Sequence, residues 1–310
     1  MCKVLVRTNG MEHKEWLRYR KLGIGGSDAG AICGLNPYVS PMHVYLDKTG
    51  DESEEKENEA MKQGRELEEY VAKRFCEETG LKVRRANVIY THEKYPFMLA
   101  NVDRMIVGED AGLECKTASP FNRAKWRDGE IPPHYLLQCH HYMAVTGAKA
   151  WYLAVVIYST EFKYMKIERD EEIIQYLIAI ESEFWNQHVL AGKLPEPDGS
   201  EAADIVINRY FRKAMEEEQV ELQGFDEKIK RRMEINELQK KLDNENRMIE
   251  QEIKLYMGNA EAAISDSFKV LWKNALTSRL DTQKLKEELP DIYERFCKKI
   301  ESRRFMVRTV

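Results

Sequence analysis

Apolar residues recur along this chain with two different periods, and the switch between them marks its elements. From Glu57 to Thr79, Leu67, Tyr70, Val71 and Phe75 fall three and four apart, which predicts one amphipathic helix stopped by Gly80. From Leu81 to Thr117 the period shortens to two. "LKVRRANVIY", "FMLANVDRMIV" and "AGLECKTA" read as three strands, the last two joined as a hairpin across Gly108–Gly112. A helix follows Pro132–Pro133 and runs to about Thr146, since proline suits a first helical turn. The mostly apolar run Ala150–Ser159 predicts a central buried strand, Glu161–Arg169 alternates as its neighbour, and a helix spans about Asp170 to Leu190. The stretch Met11–Lys48 reads as helical, interrupted by glycine-rich turns. This order predicts an α/β sandwich with a mixed central sheet flanked by helices.

The pattern changes again after "AGKLPEPDGS" (Ala191–Ser200), a linker rich in proline, glycine and polar residues. From about Asp204 to Met257 the chain is highly charged and helical. Ile235, Leu238, Leu242, Ile249 and Tyr256 fit a heptad with a polar gap at Glu245, as in a helical hairpin or short coiled coil. The last segment offers a strand ("SFKVLWKN"), a helix capped near Asp281–Thr282 and a strand ("SRRFMVRT"). Three parts are therefore expected: residues 1–195 as the α/β domain, 204–258 as a charged helical segment and 260–310 as a small β-α-β module.

Composition narrows the classes. At 310 residues and 43% hydrophobic, the chain has ample core for a rigid site. No apolar run approaches the roughly 18 residues that span a bilayer. The N-terminal "MCKVLVRTNG" lacks the apolar stretch of a signal peptide, so a soluble, cytoplasmic protein is expected. The six cysteines include no CxxC pair, which argues against a structural zinc site. His140 and His141 are adjacent and point to different faces of a helix, so they are not expected to share a metal. A net charge of −5 excludes wholesale coating of nucleic acid but not a local basic groove. The segment from Ala260 to Val310 is mildly basic, at net +3.

The candidate chemistry sits on the hairpin. Glu114 and Lys116 are two apart and project from one strand face, and the turn at Gly108–Gly112 folds them back towards Asp103. Two carboxylates and an ammonium at one sheet edge are what phosphodiester hydrolysis requires. The hard oxygens hold Mg²⁺, with Mn²⁺ as a substitute, and the Cys115 carbonyl between the two side chains is free to join them. Lys116 is placed to orient or deprotonate a water, or to neutralise developing charge.

The segments "LGIGGSDAGAICGLNPY", "GRELEEYVAKRF", "ANVDRMIVGEDAGLECKT" and "YLLQCHHYMAVTGAKAWYLAVV" occur in the order found in YqaJ-like viral recombinases. These are relatives of the phage lambda exonuclease in the PD-(D/E)XK superfamily. The resemblance covers roughly the first 190 residues. It extends to the tail, where "YMGNAEAA", "FKVLWKN" and "SRRF" are similar to the C-terminal region of phage proteins of this family.

The resemblance implies a restriction-endonuclease-like core with a helical, coiled-coil-like and small α+β C-terminal extension. It implies metal ligands at Glu68, Asp103 and Glu114 and a catalytic lysine at Lys116. Gln138 would contact the catalytic water or the lysine, with Tyr135 in support. Glu66 and Glu69 are better read as solvated. It also implies a pocket for a DNA 5′-phosphate at Arg20 and Ser27, with Trp16 in the same motif, where the start of a helix at Gly25–Asp28 would attract the anion. Two positions depart from the family pattern. Val102 replaces the superfamily proline, and Asn101 stands where a small hydroxyl residue would support the phosphate.

The function implied is Mg²⁺-dependent digestion of one strand of duplex DNA from a 5′ end, supplying single strands for recombination. The implied partners are duplex DNA ends, a phage-type single-strand annealing protein and further copies of the chain in a ring-like trimer. The same carboxylates would serve a structure-selective or nicking endonuclease. A DNA-binding protein on a retired nuclease fold is the third reading, against which stands the joint presence of Glu68, Asp103, Glu114, Lys116 and Gln138.

Overall fold

The computed structural model describes residues 2–50, 59–158, 160–211, 219–298 and 303–308. The chain forms two compact units, 1–210 and 211–310. The start of the expected helix at 57–58, and Ser159 at the end of the expected central strand, lie outside the described residues.

The first unit is built on two sheets. Strands β3 (Val83–Arg85), β6 (Arg104–Ile106), β7 (Ala111–Ala118), β8 (Ala150–Ile157) and β9 (Glu161–Glu168) form the larger one, in the order β3-β6-β7-β8-β9. It is mixed: β7 and β8 run parallel, while β6–β7 and β8–β9 are antiparallel. Strands β1 (Lys3–Arg7), β2 (Ile24–Gly25), β4 (Val88–Thr91) and β5 (Met98–Asn101) form the smaller sheet, in the order β1-β4-β5-β2. The alternation along β7 and β8 divides the core. Leu113, Tyr152 and Ala154 meet Val71 and Phe75 of α4 (Glu59–Thr79) on one face. Trp151, Leu153 and Val155 meet Cys139 and Met143 of α5 (Pro133–Thr146) on the other, closed by Ile174 and Ile178 of α6 (Glu171–Phe184). A single π-helical turn, Trp185–Leu190, continues α6.

Ahead of this core stand α1 (His13–Lys21), α2 (Gly26–Ile32) and α3 (Pro41–Thr49). The expected helical stretch interrupted by glycine-rich turns is three short helices, and β1 was not anticipated. Two expected strands are each broken in two. "LKVRRANVIY" parts at Asn87, which takes φ +52°, so β3 and β4 enter different sheets. "FMLANVDRMIV" parts at Val102–Asp103, with β5 on one side and β6 on the other.

The linker is also less of a boundary than its composition predicts. Helix α7 (Glu201–Tyr210) packs Ala203 and Val206 against Met42 of α3, and so belongs to the first unit. The charged helix is then α8 (Asp226–Met257), 32 residues long. Its heptad positions Ile235, Leu238, Leu242 and Ile249 are exposed in the chain. The second unit also holds a hairpin of β10 (Ala262–Ile264) and β11 (Lys269–Leu271), followed by α9 (Thr282–Glu288) and α10 (Pro290–Phe296). The described part of the expected final strand, 303–308, forms no ladder. Among the described residues no helix is long and apolar enough to cross a membrane.

Candidate active site

The break between β5 and β6 builds the site. Arg104 and Met105 pair with Leu113 and Gly112, and continuing that antiparallel register brings Asp103 opposite Glu114. Freed from a ladder of its own, Asp103 turns its side chain across, and Oδ2 accepts the Cys115 N–H at 2.9 Å. Glu114 lies on the α5 face of β7. Its Oε1 receives Lys116 Nζ at 2.6 Å and Gln138 Nε2 at 2.8 Å. Gln138 Nε2 also donates to the Tyr142 hydroxyl at 2.9 Å, one turn further along α5. The expectation placed Gln138 against water or Lys116; its contact is with the carboxylate. Lys116 instead lies over the Tyr135 ring, 5.0 Å from the centroid.

Glu68 arrives from α4, on the opposite face of the sheet. Its carboxylate is ion-paired with the buried Arg104, whose second nitrogen reaches Glu69 at 3.0 Å. Glu69, expected to be solvated, also pairs with Arg85 at 2.6 Å. Glu66 and Glu69 are both exposed, as expected. Arg104 has no place in the sequence-based reading. The one signal for it is its position beside Asp103, and nothing in the spacing says that it faces α4.

Electrostatics show how crowded the negative charge is. Burial first, then the charges of Glu114 and Glu68, push the Asp103 carboxyl well above the usual range, against the opposing pull of Lys116. Burial of Lys116 disfavours its charge, but Glu114, Tyr135 and Asp103 outweigh it and raise its pKa above the ordinary value. The lysine is therefore an ammonium at neutral pH.

The donor set fits a hard divalent cation. Among the described residues Glu114 Oε2 is buried without a hydrogen-bond partner, an arrangement that costs free energy unless something positive supplies one. Asp103 uses one oxygen on the Cys115 N–H and keeps the other. Asp103, Glu114 and the Cys115 carbonyl could hold such an ion. Among the described residues no three His, Cys, Asp or Glu side chains already converge as a cage, consistent with Glu68 being engaged by Arg104.

The N-terminal motif lies beside this cluster. A cavity of about 120 Å³ is lined by Arg20, Ser27 and Asn101 together with Asp103, Gln138 and Tyr142. Arg20 donates to Ser27 Oγ at 3.1 Å and rests on the Trp16 ring, 5.1 Å from its centroid. Trp16 Nε1 donates to Asn101 Oδ1 at 3.3 Å, which leaves the Asn101 amide nitrogen for an acceptor. The start of α2 is tied at its cap residue. Asp28 Oδ2 already accepts the Gly25 N–H at 2.8 Å, and the carboxylate is balanced by the buried Lys48 at 2.8 Å. Gly25, Gly26 and Ser27 at the start of α2 line this cavity together with those side chains.

His140 and His141 do diverge. His141 Nδ1 meets Glu181 at 2.8 Å and Nε2 the Leu99 carbonyl at 2.9 Å, whereas His140 Nδ1 faces the Leu136 carbonyl. Tyr142 was missed from sequence. Its spacing of four from Gln138 on α5 was the available signal.

Comparison with known proteins shows the family and the fold. The YqaJ-like viral recombinase domain matches residues 15–149. The protein YqaJ of Bacillus subtilis (strain 168) is 41% identical over 313 residues, covering all of this chain and 98% of that protein. Among solved structures, an alkaline exonuclease (LHK-Exo) from Laribacter hongkongensis superposes with a TM-score of 0.50 at 19% identity, over 65% of this chain and all of that one. A phage related exonuclease from Haemophilus somnus 129PT superposes with a TM-score of 0.41 at 16% identity, over 57% of this chain and 99% of that one. Over 65% of its length the chain shares the fold of the Laribacter hongkongensis exonuclease. By its full-length likeness to the Bacillus subtilis protein and its match to the domain, the chain belongs to the YqaJ-like viral recombinase family.

Proposed function

We propose that this protein is a divalent-metal-dependent deoxyribonuclease that digests one strand of duplex DNA from its 5′ end. The observation that carries the proposal is the state of Glu114. One of its oxygens is held by Lys116 and Gln138, the other is buried and unpartnered among the described residues, and Asp103 stands opposite. Mg²⁺, or Mn²⁺ in its place, would polarise the phosphoryl oxygen and acidify a water when held by Asp103, Glu114 and the Cys115 carbonyl. Glu68 would complete the set by leaving Arg104.

The remaining roles fall to the chain itself. Lys116, held at Glu114, neutralises charge building on the phosphate or orients the attacking water. Gln138, held by Tyr142, fixes the rotamer of Glu114. Arg20, Ser27 and Asn101 bind the 5′-phosphate in the cavity they share with Asp103, so the end of the strand is held next to the cleavage centre. This cavity favours an exonuclease over the endonuclease reading, because an end-binding subsite is of no use to an enzyme that cuts internally. The names of the structurally similar alkaline and phage related exonucleases point the same way. A recombination role, with a single-strand annealing protein as partner, a ring-like trimer on DNA and residence in the cytoplasm, follows from the family.

The test is a linear 5′-phosphorylated duplex, labelled at the 5′ or the 3′ end, incubated with Mg²⁺, Mn²⁺ or EDTA. Metal-dependent release of 5′-labelled mononucleotide is expected. Lys116→Ala should lower the rate by at least about a hundredfold while DNA still binds. Arg20→Ala should damage digestion from phosphorylated ends much more than cutting of circular DNA. Intact DNA across all Mg²⁺ and Mn²⁺ concentrations would remove the nuclease reading, and equal loss on both substrates would remove the end-binding subsite.

A further inference from the structure

Beside the acid cluster lies a set of rings that the cleavage chemistry does not use. Tyr135, beneath Lys116, begins a file of aromatic side chains leading away from the active centre. Its ring stacks on Trp126 at 5.7 Å between centroids and sits 4.0 Å from His134. His134 in turn meets Tyr38 edge-on, at 6.4 Å and 87°. The rings come from separate parts of the fold: Tyr38 from the loop between α2 and α3, His134 and Tyr135 from the first turn of α5, and Trp126 from the 3-10 segment Pro120–Gly129.

The inner end of this file is core. Trp126 is buried, and its carbonyl accepts Lys163 Nζ at 2.6 Å. The outer end is not: Tyr38 is 62% exposed. Most of the Tyr38 ring is open to solvent, while its T-shaped contact with His134 fixes its place. The neighbourhood is basic as well as aromatic. Burial, then Lys116 and the exposed Lys125, push His134 down to about 4, so its ring is neutral at physiological pH and cheap to desolvate. Gly30 of α2 permits this placement, because a Cβ there would lie 2.6 Å from His134 Cβ and 2.8 Å from its Cα.

An exposed tyrosine and a half-buried histidine, linked through Tyr135 to Lys116 at the cleavage centre, match the two halves of a nucleotide. The ring faces suit a base and the lysines suit a phosphate. On the basis of the nuclease reading above, we propose that Tyr38 and His134 form a stacking rim that holds the base next to the cleaved phosphate, while Lys125 contacts the adjoining phosphate. Because every base presents a π-face, such a rim is indifferent to sequence. That property suits an enzyme that must advance through any DNA, and it holds the terminal base out of its pair while the backbone lies on Lys116.

The test compares two short 5′-phosphorylated single strands of equal length, one with normal bases and one made of abasic tetrahydrofuran residues. Binding to the full chain is followed by fluorescence anisotropy in EDTA, and duplex digestion in Mg²⁺ is measured in parallel. The wild-type protein should bind the normal strand about tenfold more tightly than the abasic one. Tyr38→Ala and His134→Ala should each bring that ratio towards one, and Tyr38→Trp and His134→Phe should keep it. Equal wild-type affinity for the two strands, or a ratio that survives in both alanine variants, overturns the rim even where duplex digestion is intact. Absence of both DNA binding and digestion overturns the nuclease reading and the rim with it.

Discussion

Glu114 shows how a single residue can be over-determined by its neighbours and still be left incomplete. Lys116 and Gln138 converge on one oxygen, while the other is buried without a partner among the described residues. Tyr142 takes part only through Gln138, so Tyr142→Phe should cost about 1 kcal/mol of stability and slow cleavage less than Gln138→Ala does. Urea unfolding and digestion rates measured on both variants check this, and a Tyr142→Phe rate as low as that of Gln138→Ala would place the hydroxyl in direct contact with the reacting groups. Asp28 is a second buried acid with the opposite balance. Burial pushes its carboxyl up, but Lys48, Arg20 and the Gly25 N–H outweigh this and hold it below its ordinary 3.8. A carboxyl depressed in the folded state stabilises the fold above its unfolded pKa and loses that contribution as pH falls through the folded one. The difference in unfolding free energy between wild type and Asp28→Asn should therefore be full at about pH 6 and shrink below about pH 4. A gap independent of pH would show that Asp28 acts by shape alone.

At the scale of elements, the hairpin carrying Asp103, Glu114 and Lys116 was legible because period-two alternation and a glycine-rich turn fix both face and register. The break at Val102–Asp103 was not. An apolar, β-prone run looks the same whether it stays in one sheet or passes between two, and only the partners β4 and β7 decide. Gln138 makes the same point for helices. The 3.6-residue period puts it on the inward face of α5 but cannot say whether it meets water, Lys116 or Glu114. Long-range ion pairs such as Arg104 with Glu68, and the return of α7 onto α3, leave no local trace at all. The approach of α2 to α5 depends instead on one small residue. At Gly30 an added methyl would meet the backbone of His134, which cannot swing aside as a flexible side chain could. Gly30→Ala should destabilise the protein by about 1–3 kcal/mol, measured by urea unfolding. Wild-type stability would mean that the two helices separate freely there.

For the whole molecule, the boundary of the nuclease unit decides which piece of the chain can stand alone. Composition puts the end of that unit near residue 195, ahead of the proline- and glycine-rich linker, whereas Ala203 and Val206 of α7 fill a small cluster with Met42, and Leu194 and Leu46 pack against it. Cutting at 195 removes both side chains and bares Met42, and burial of one or two such apolar groups is worth about 2–4 kcal/mol. A fragment ending at Tyr210 retains the cluster and every residue assigned to the active site. The 1–210 fragment should therefore unfold cooperatively and digest duplex DNA in Mg²⁺, while 1–195 should unfold at distinctly lower urea concentration. Because α7 touches none of the catalytic groups, the shorter fragment should regain activity as temperature is lowered. If both fragments unfold alike, α7 is an appendage and the unit ends at the linker; if 1–210 cannot fold without the 211–310 unit, the two are energetically one body.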